Sequence, residues 1–434
     1  MDYPAISLEA LSSLLRSGEL PLTHYLKNLL KRLSDEDRAI HAFLPEPERE
    51  KRVLEDARFL LDKYPAPEQR PALFGIPVGV KDLFNVDGLP TQAGSKMPSD
   101  AFEGPQATVV DRLQRAGAIV LGKTVSTEFA YFSPGPTRNP VNPEHSPGGS
   151  SSGSAAAVAQ GLCPLALGTQ TIASVIRPAA YCGIWGFKPS YGRIPLEGVF
   201  PFAQSVDHVG YFAARHEDIS FVAPFMVDSW HQETDHPTLS LLIPNDAYLH
   251  QADADSQQHF REVVQTLADS GLEIKEIELF PDIEDLNIRH KSLIAAEFAL
   301  NHHDLYAKYG SLYSPHSREL YLQGRDISSE ELFSLRMLPE ALRNEIQKIM
   351  WQHNANLLLT PGATSTAPQG LSSTGSPLMS LPFTNAGLPS ISIPFGADRQ
   401  GLPFALQVIA ASGQDEFLVF AAREIHRALS TSQS

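Results

Sequence analysis

Three short stretches of this chain carry residue types that do covalent chemistry. The first is Gly148-Gly-Ser-Ser-Ser-Gly-Ser154, a run of small residues that ends a Pro- and Asn-rich stretch from 133 to 153. The second is Lys81, which terminates the apolar run Ile76–Val80 and is followed by Asp82. The third is Ser174, at the end of Gly168-Thr-Gln-Thr-Ile-Ala-Ser174. A serine hydroxyl is too weakly acidic to attack an amide unaided, so it needs a base within hydrogen-bond reach. A lysine is such a base only when neutral. Its free pKa is about 10.4, and burial favours the uncharged amine. The apolar run before Lys81 supplies that setting, and lowering a lysine by about three units costs about 4 kcal/mol.

Each stretch has a plainer reading. A Gly/Ser run is often a flexible linker, Lys81 reads as a loop lysine at a strand end, and Ser174 reads as an ordinary loop serine. The Gly/Ser run, however, abuts an Ala-rich helical segment, so its backbone N–H groups form a candidate anion nest. A nucleotide P-loop is excluded because no Gly-Lys-Ser/Thr follows. Gly149, Ser151 and Gly153 also match the Gly-x-Ser-x-Gly nucleophile elbow. That elbow follows a hydrophobic strand, whereas Asn142-Pro-Glu-His-Ser-Pro147 precedes this one.

The elements that position these residues alternate between strand and helix patterns. Apolar residues at helical spacing predict helices over 6–15, 21–32 and 48–63, the last stopped before Pro65. Residues 74–80 and 118–121 read as buried strands flanking a helix over 107–116, and 154–160 as a short helix ended by Gly161. Residues 164–167 read as a short strand. A second strand–helix–strand unit follows at 239–243, 256–269 and 272–279. A helical stretch covers 284–355, strand signals return at 357–359, 390–393 and 404–409, and a helix closes the chain over 416–428. This order predicts an α/β fold.

Composition narrows the function classes. With 434 residues and 42% apolar content, the chain can bury a large core. A net charge of −16 argues against a nucleic-acid partner. No apolar run reaches the length of a membrane span, and Met1-Asp2-Tyr3-Pro4 does not open a signal peptide, so a cytoplasmic location is expected. Cys163 and Cys182 are the only cysteines, too few for a disulfide framework or a cysteine-based metal site. Cys182 reads as a core thiol. His302 and His303 are adjacent in a predicted helix and do not share a face, so no metal is expected.

Taken together and in order, Phe74-Gly-Ile-Pro-Val-Gly-Val-Lys-Asp82, Gly148-Gly-Ser-Ser-Ser-Gly-Ser-Ala-Ala-Ala157 and Gly168-Thr-Gln-Thr-x-x-Ser-Val-Ile-Arg-Pro-Ala179 resemble the amidase signature family, its malonamidase-like and general amidase members in particular. Ser126–Ala130, Gly186-Phe-Lys-Pro-Ser-Tyr-Gly192, Ser205-Val-Asp-His-Val-Gly210, Gly387-Leu-Pro, Gly401-Leu-Pro and Leu406-Gln407 agree with it, so the resemblance runs from about residue 5 to 430.

The resemblance implies one α/β domain over 1–434, a mixed central sheet with helices on both faces, and a helical elaboration over about 284–355 near the pocket. It implies an amidase with Ser174 as nucleophile, Ser150 as a bridging serine after a cis peptide bond, and Lys81 as base. It also implies an oxyanion hole from the backbone of Thr171, Ile172 and Ala173, with no cofactor. Malonamidase-like members use an arginine at the spacing of Arg177 to hold a substrate carboxylate; the other reading of Arg177 is a structural pairing. Asp207 and Gln407 are read as structural. The substrate is expected to be a small-molecule amide, its specificity set by about 126–136 and the helical region, and a homodimer is an expected assembly.

The family usually has glycine where Ile172-Ala173 stands, and a Cβ at 173 is strained if φ is positive there. Two alternatives stay open. One is the amidase component of a tRNA-dependent amidotransferase, expected to be longer at its C-terminus. The other is a non-catalytic binding relative whose oxyanion hole Ile172-Ala173 has closed.

Overall fold

The computed structural model describes residues 6–231 and 236–431. Its strands are β1 (Pro77–Lys81), β2 (Ile119–Thr124), β3 (Leu165–Gln170), β4 (Trp185–Lys188), β5 (His208–Ala213), β6 (Ser240–Pro244), β7 (Glu273–Ile277), β8 (Leu357–Pro361), β9 (Ser390–Ala397) and β10 (Pro403–Ala410). They join in one sheet in the order β2-β1-β3-β5-β4-β9-β10-β8-β6-β7. The ladders of β1 with β2 and β3, and of β6 with β7 and β8, are parallel. Those that link β3, β5, β4, β9, β10 and β8 are antiparallel. The sheet is therefore parallel towards both edges and antiparallel at its centre, the mixed α/β class expected.

Strands β1 to β5 are buried along their whole lengths, which requires cover on both faces. Helices Arg49–Lys63, Ser152–Ala159, Ile176–Cys182 and Asp415–Thr431 pack against β2, β3, β4 and the β9–β10 pair. β4 and β5 are absent from the sequence reading although β1, β2 and β3 are equally buried; with four residues, β4 is too short to show a period.

Helix ends follow local chemistry. Leu8–Ser17 starts where the Ser7 side chain accepts from Ala10 N–H and stops at Gly18, whose φ is +82°. The second helix runs Leu22–Ile40, beyond the predicted 21–32, because Leu33 and Ile40 continue its buried stripe past a charged stretch. The 284–355 region divides into Ile283–Asn301, His303–Tyr309, Pro315–Arg325, Ser329–Arg336 and Leu338–Gln352, with serine caps at Ser314 and Ser328. Among the described residues, no helix is long and apolar enough to cross a membrane.

This topology converges on one place. β1 and β3 lie side by side in parallel, with Val80 opposite Leu167. Their carboxyl ends carry Lys81 and the turn to Ser174, and the serine-rich segment enters the helix Ser152–Ala159 packed against them. The ends of parallel strands are where α/β sheets place ligands.

Candidate active site

Lys81 ends β1 with no surface exposed, and its Nζ donates to Ser150 Oγ at 2.7 Å and to Thr169 Oγ1 at 2.7 Å. Burial drives its pKa well below the ordinary lysine value, against a smaller upward pull from Asp207. The Gly149–Ser150 peptide bond is cis. Both carbonyls around it are held: Arg177 Nη2 donates to Gly149 O at 2.7 Å, and Thr127 N–H donates to Ser150 O at 3.1 Å. Gly148 sits at φ +80°, and a Cβ there would come within 3.0 Å of the Pro178 backbone, so only glycine fits.

Ser174 lies in the turn between β3 and the helix Ile176–Cys182 and is 7% exposed. Among the described residues, no hydrogen bond joins its hydroxyl to Ser150. The N–H groups of Ile172, Ala173 and Ser174 donate to no described residue. Neither Ile172 nor Ala173 adopts a positive φ, so the condition under which a Cβ at 173 would be strained is not met. The turn accommodates Cβ atoms where glycine was expected.

Two side chains outside the expected set shape this turn. Gln170 Oε1 accepts from Val175 N–H at 2.7 Å and Ile176 N–H at 3.0 Å, capping a helix start whose first N–H groups have no intrahelical acceptor. Gln170 Nε2 donates to Thr384 Oγ1 at 2.9 Å, and the same hydroxyl contacts Ile172 O at 2.6 Å. On the other side, Thr171 Oγ1 donates to Asp207 Oδ1 at 2.5 Å. Asp207 Oδ2 accepts from Phe202 and Ala203 N–H, each at 2.9 Å. Burial pushes the Asp207 carboxyl up to about 7 against these bonds. Asn385 Nδ2 donates to His290 Nδ1 at 2.9 Å, the Thr171 backbone lies beside the same imidazole, and burial holds it down at about 4, so it is neutral.

Arg177 faces protein rather than an open site. Nη1 donates to Gly375 O at 2.5 Å, Nη2 donates to Gly149 O and to Thr374 Oγ1 at 3.2 Å, and Nε is buried without a partner. Its geometry is that of a clamp on the Gly149 carbonyl, the structural pairing that the sequence left open. Ser151 is fully buried and exchanges hydrogen bonds with the Thr169 backbone at 3.2 and 3.3 Å, a strand-locking role unlike an elbow nucleophile. Gln407 Nε2 donates to Thr360 Oγ1 and Met379 O. His302 stacks on Phe298 and bonds Tyr313, and burial raises the Cys182 thiol.

Two cavities flank the turn. One of about 190 Å³ is walled by Thr169, Thr171, Asp207, Ala130 and Phe200. The other, of about 500 Å³, has Ile172 on one side, Tyr131 and Phe132 on another, and residues of Ile283–Asn301 and Pro315–Arg325 opposite.

A family model described as Amidase matches residues 25–419. The chain belongs to the amidase family. Amidases in this family act on C–N bonds as hydrolases or amidotransferases. A solved structure described as that of an amidase superposes with a TM-score of 0.87 at 30% identity, covering 98% of this chain and 100% of the other. Among curated relatives, two from Prochlorococcus marinus, both named as the A-type component of glutamyl-tRNA(Gln) amidotransferase, are 29% and 32% identical. The matches cover 91% of this amidase in both cases, and 92% and 91% of the relatives.

Proposed function

We propose that this amidase cleaves a carboxamide C–N bond through an acyl-enzyme on Ser174. The observation that carries the reading is the fully buried Lys81 amine, 2.7 Å from the Ser150 hydroxyl and beside a turn whose N–H groups are uncommitted. The neutral amine takes the Ser150 proton as Ser150 takes that of Ser174, and Ser174 Oγ bonds to the carbonyl carbon. Backbone N–H groups over 171–174 receive the developing oxyanion. The proton returns through Ser150 to the leaving nitrogen, the C–N bond breaks, and water repeats the sequence on the ester. These uncommitted N–H groups are also why we set aside a non-catalytic role built on Ile172-Ala173.

A second reading is favoured by the curated relatives. In it the chain is the A-type component of an amidotransferase, and ammonia freed on Ser174 passes to an acceptor in a partner. The expectation of no nucleic-acid partner is not carried forward, because the relatives are named for glutamyl-tRNA(Gln). Both readings share the cleavage step and differ in the fate of the ammonia. Ammonia release from an amide panel, including glutamine, tests them with the purified chain and with whatever partner proteins co-purify. Turnover by the chain alone that is lost in Ser174→Ala supports the hydrolase. Glutamine turnover that appears only with co-purified partners supports the second reading. Full turnover in Ser174→Ala refutes both.

A further inference from the structure

The cavity of about 500 Å³ beside the turn has an apolar wall and a charged rim. Ile172 belongs to the turn that carries Ser174, and its side chain lines this cavity. Ile172 stands two residues before Ser174 on that turn, so this cavity lies beside the residue that an acyl carbon would bond. The buried wall is Ile294, Leu320 and Leu381, with the half-buried Tyr131, Phe132 and Leu378 completing it. The charged groups occupy a different level: Lys291, His316, Glu319 and Gln323 are exposed and form the rim, while half-buried Asn287 and Ser376 are the neutral polar groups between rim and wall. The buried polar side chain in the wall, His290, is a neutral imidazole whose Nδ1 accepts from Asn385 and whose Nε2 is buried without a hydrogen-bond partner. The floor thus offers no charge to a substrate's carboxylate or ammonium. Burying either one without a partner is strongly unfavourable, whereas apolar surface placed there is stabilised roughly in proportion to its area.

We propose that the acyl group accepted by this amidase is hydrophobic, a medium-length alkyl or aryl carboxamide, and that a free amino-acid amide such as glutamine is a poor substrate. This rests on Ser174 being the acylated residue. The rim makes glutamine the demanding competitor, since Lys291 and Glu319 carry the two signs that a zwitterion would seek.

The test is a ladder of kcat/KM values on the purified chain for acetamide, propionamide, butyramide, valeramide and benzamide, with succinamate and glutamine as charged comparators. Labelling of Ser174 by a fluorophosphonate, read by peptide mass spectrometry, is run alongside. Each added methylene is expected to raise kcat/KM about fourfold until the cavity fills, with both charged amides below butyramide. Leu378→Trp, in a half-buried loop wall, is expected to flatten the ladder beyond propionamide, with a melting curve confirming the fold. A flat ladder, or glutamine as the best substrate, with Ser174 labelled, overturns the hydrophobic acyl pocket and leaves the cleavage reading standing. A steep ladder unchanged in Leu378→Trp overturns this cavity as its location. Absence of label at Ser174 together with turnover removes the cleavage reading and this inference with it.

Discussion

Replacing Gln170 with alanine tests whether the turn before Ser174 is held by the side chain that precedes it. The Gln170 amide makes three contacts at 2.7, 3.0 and 2.9 Å, to Val175 N–H, Ile176 N–H and Thr384 Oγ1. Each is fully buried and contributes about 1 kcal/mol net, and a buried N–H left without an acceptor costs about 1–3 kcal/mol. Partial relaxation of the helix start offsets some of this, so the variant is expected to lose about 2–4 kcal/mol of stability. The kinetic effect is separate. Thr384 also contacts Ile172 O, so removing Gln170 loosens both ends of the segment whose N–H groups are proposed to receive the oxyanion. A displacement of about 1 Å there lowers turnover by about 100-fold. Urea denaturation gives the first quantity, and kcat on an amide substrate at a temperature where the variant stays folded gives the second. Gln170→Glu keeps the acceptor for the two N–H groups and loses the donor to Thr384, so its kcat should fall between the other two proteins. A folded Gln170→Ala with unchanged kcat would refute the reasoning, because the turn would then hold its geometry without this contact.

Four further outcomes are expected. The base must be neutral, and the Lys81 pKa is depressed by burial. kcat/KM should therefore be full above that pKa and fall as pH drops through it; a rate that declines from pH 7 to 9 would contradict Lys81 as base. The same depression predicts that Lys81→Met unfolds at higher urea than the native chain. The unfolded lysine binds a proton that the folded one does not, so native stability rises with pH between the folded pKa and about 10.4. The advantage of Lys81→Met should shrink across that window, and an advantage that grows with pH would reverse the sign argument. Arg177→Lys should lose about 2–4 kcal/mol of stability and lower kcat for charged and neutral amides alike; a selective rise in KM for carboxylate-bearing amides would restore Arg177 as a substrate contact. Ser151→Ala should lose about 1 kcal/mol and leave the labelling of Ser174 intact, whereas loss of label would return Ser151 to candidacy.

The sequence signals for the candidate site are local. Lys81 closing an apolar strand, glycines around Ser150 and a serine after a strand can each be read within ten residues of chain. The fold class was legible for the same reason, from strands and helices long enough to show a period. What stayed hidden depends on distance along the chain. Gln170 meets Thr384 across 214 residues, and Arg177 reaches Gly375 across 198. No local pattern announces such a pairing, so Arg177 kept two readings until its acceptors were visible. Gln170 was passed over because a glutamine ending a buried strand has no signature of its own. Asp207 was read as structural, and its bond to Thr171 shows where that structure acts. The consequence of Ile172-Ala173 could not be read from residue types alone. Strain depends on φ, and the turn turned out to need no left-handed residue there.

The most direct test of the central claim is fluorophosphonate labelling followed by peptide mass spectrometry on the native chain, Ser174→Ala and Lys81→Met, at one pH above neutrality. Ser174, Ser150 and Lys81 acting as nucleophile, relay and base predict one labelled peptide carrying Ser174 in the native chain. They predict no label in Ser174→Ala and labelling slowed by at least about 100-fold in Lys81→Met. Labelling of Lys81→Met at the native rate would contradict the account, because Ser174 would then be activated without the buried amine.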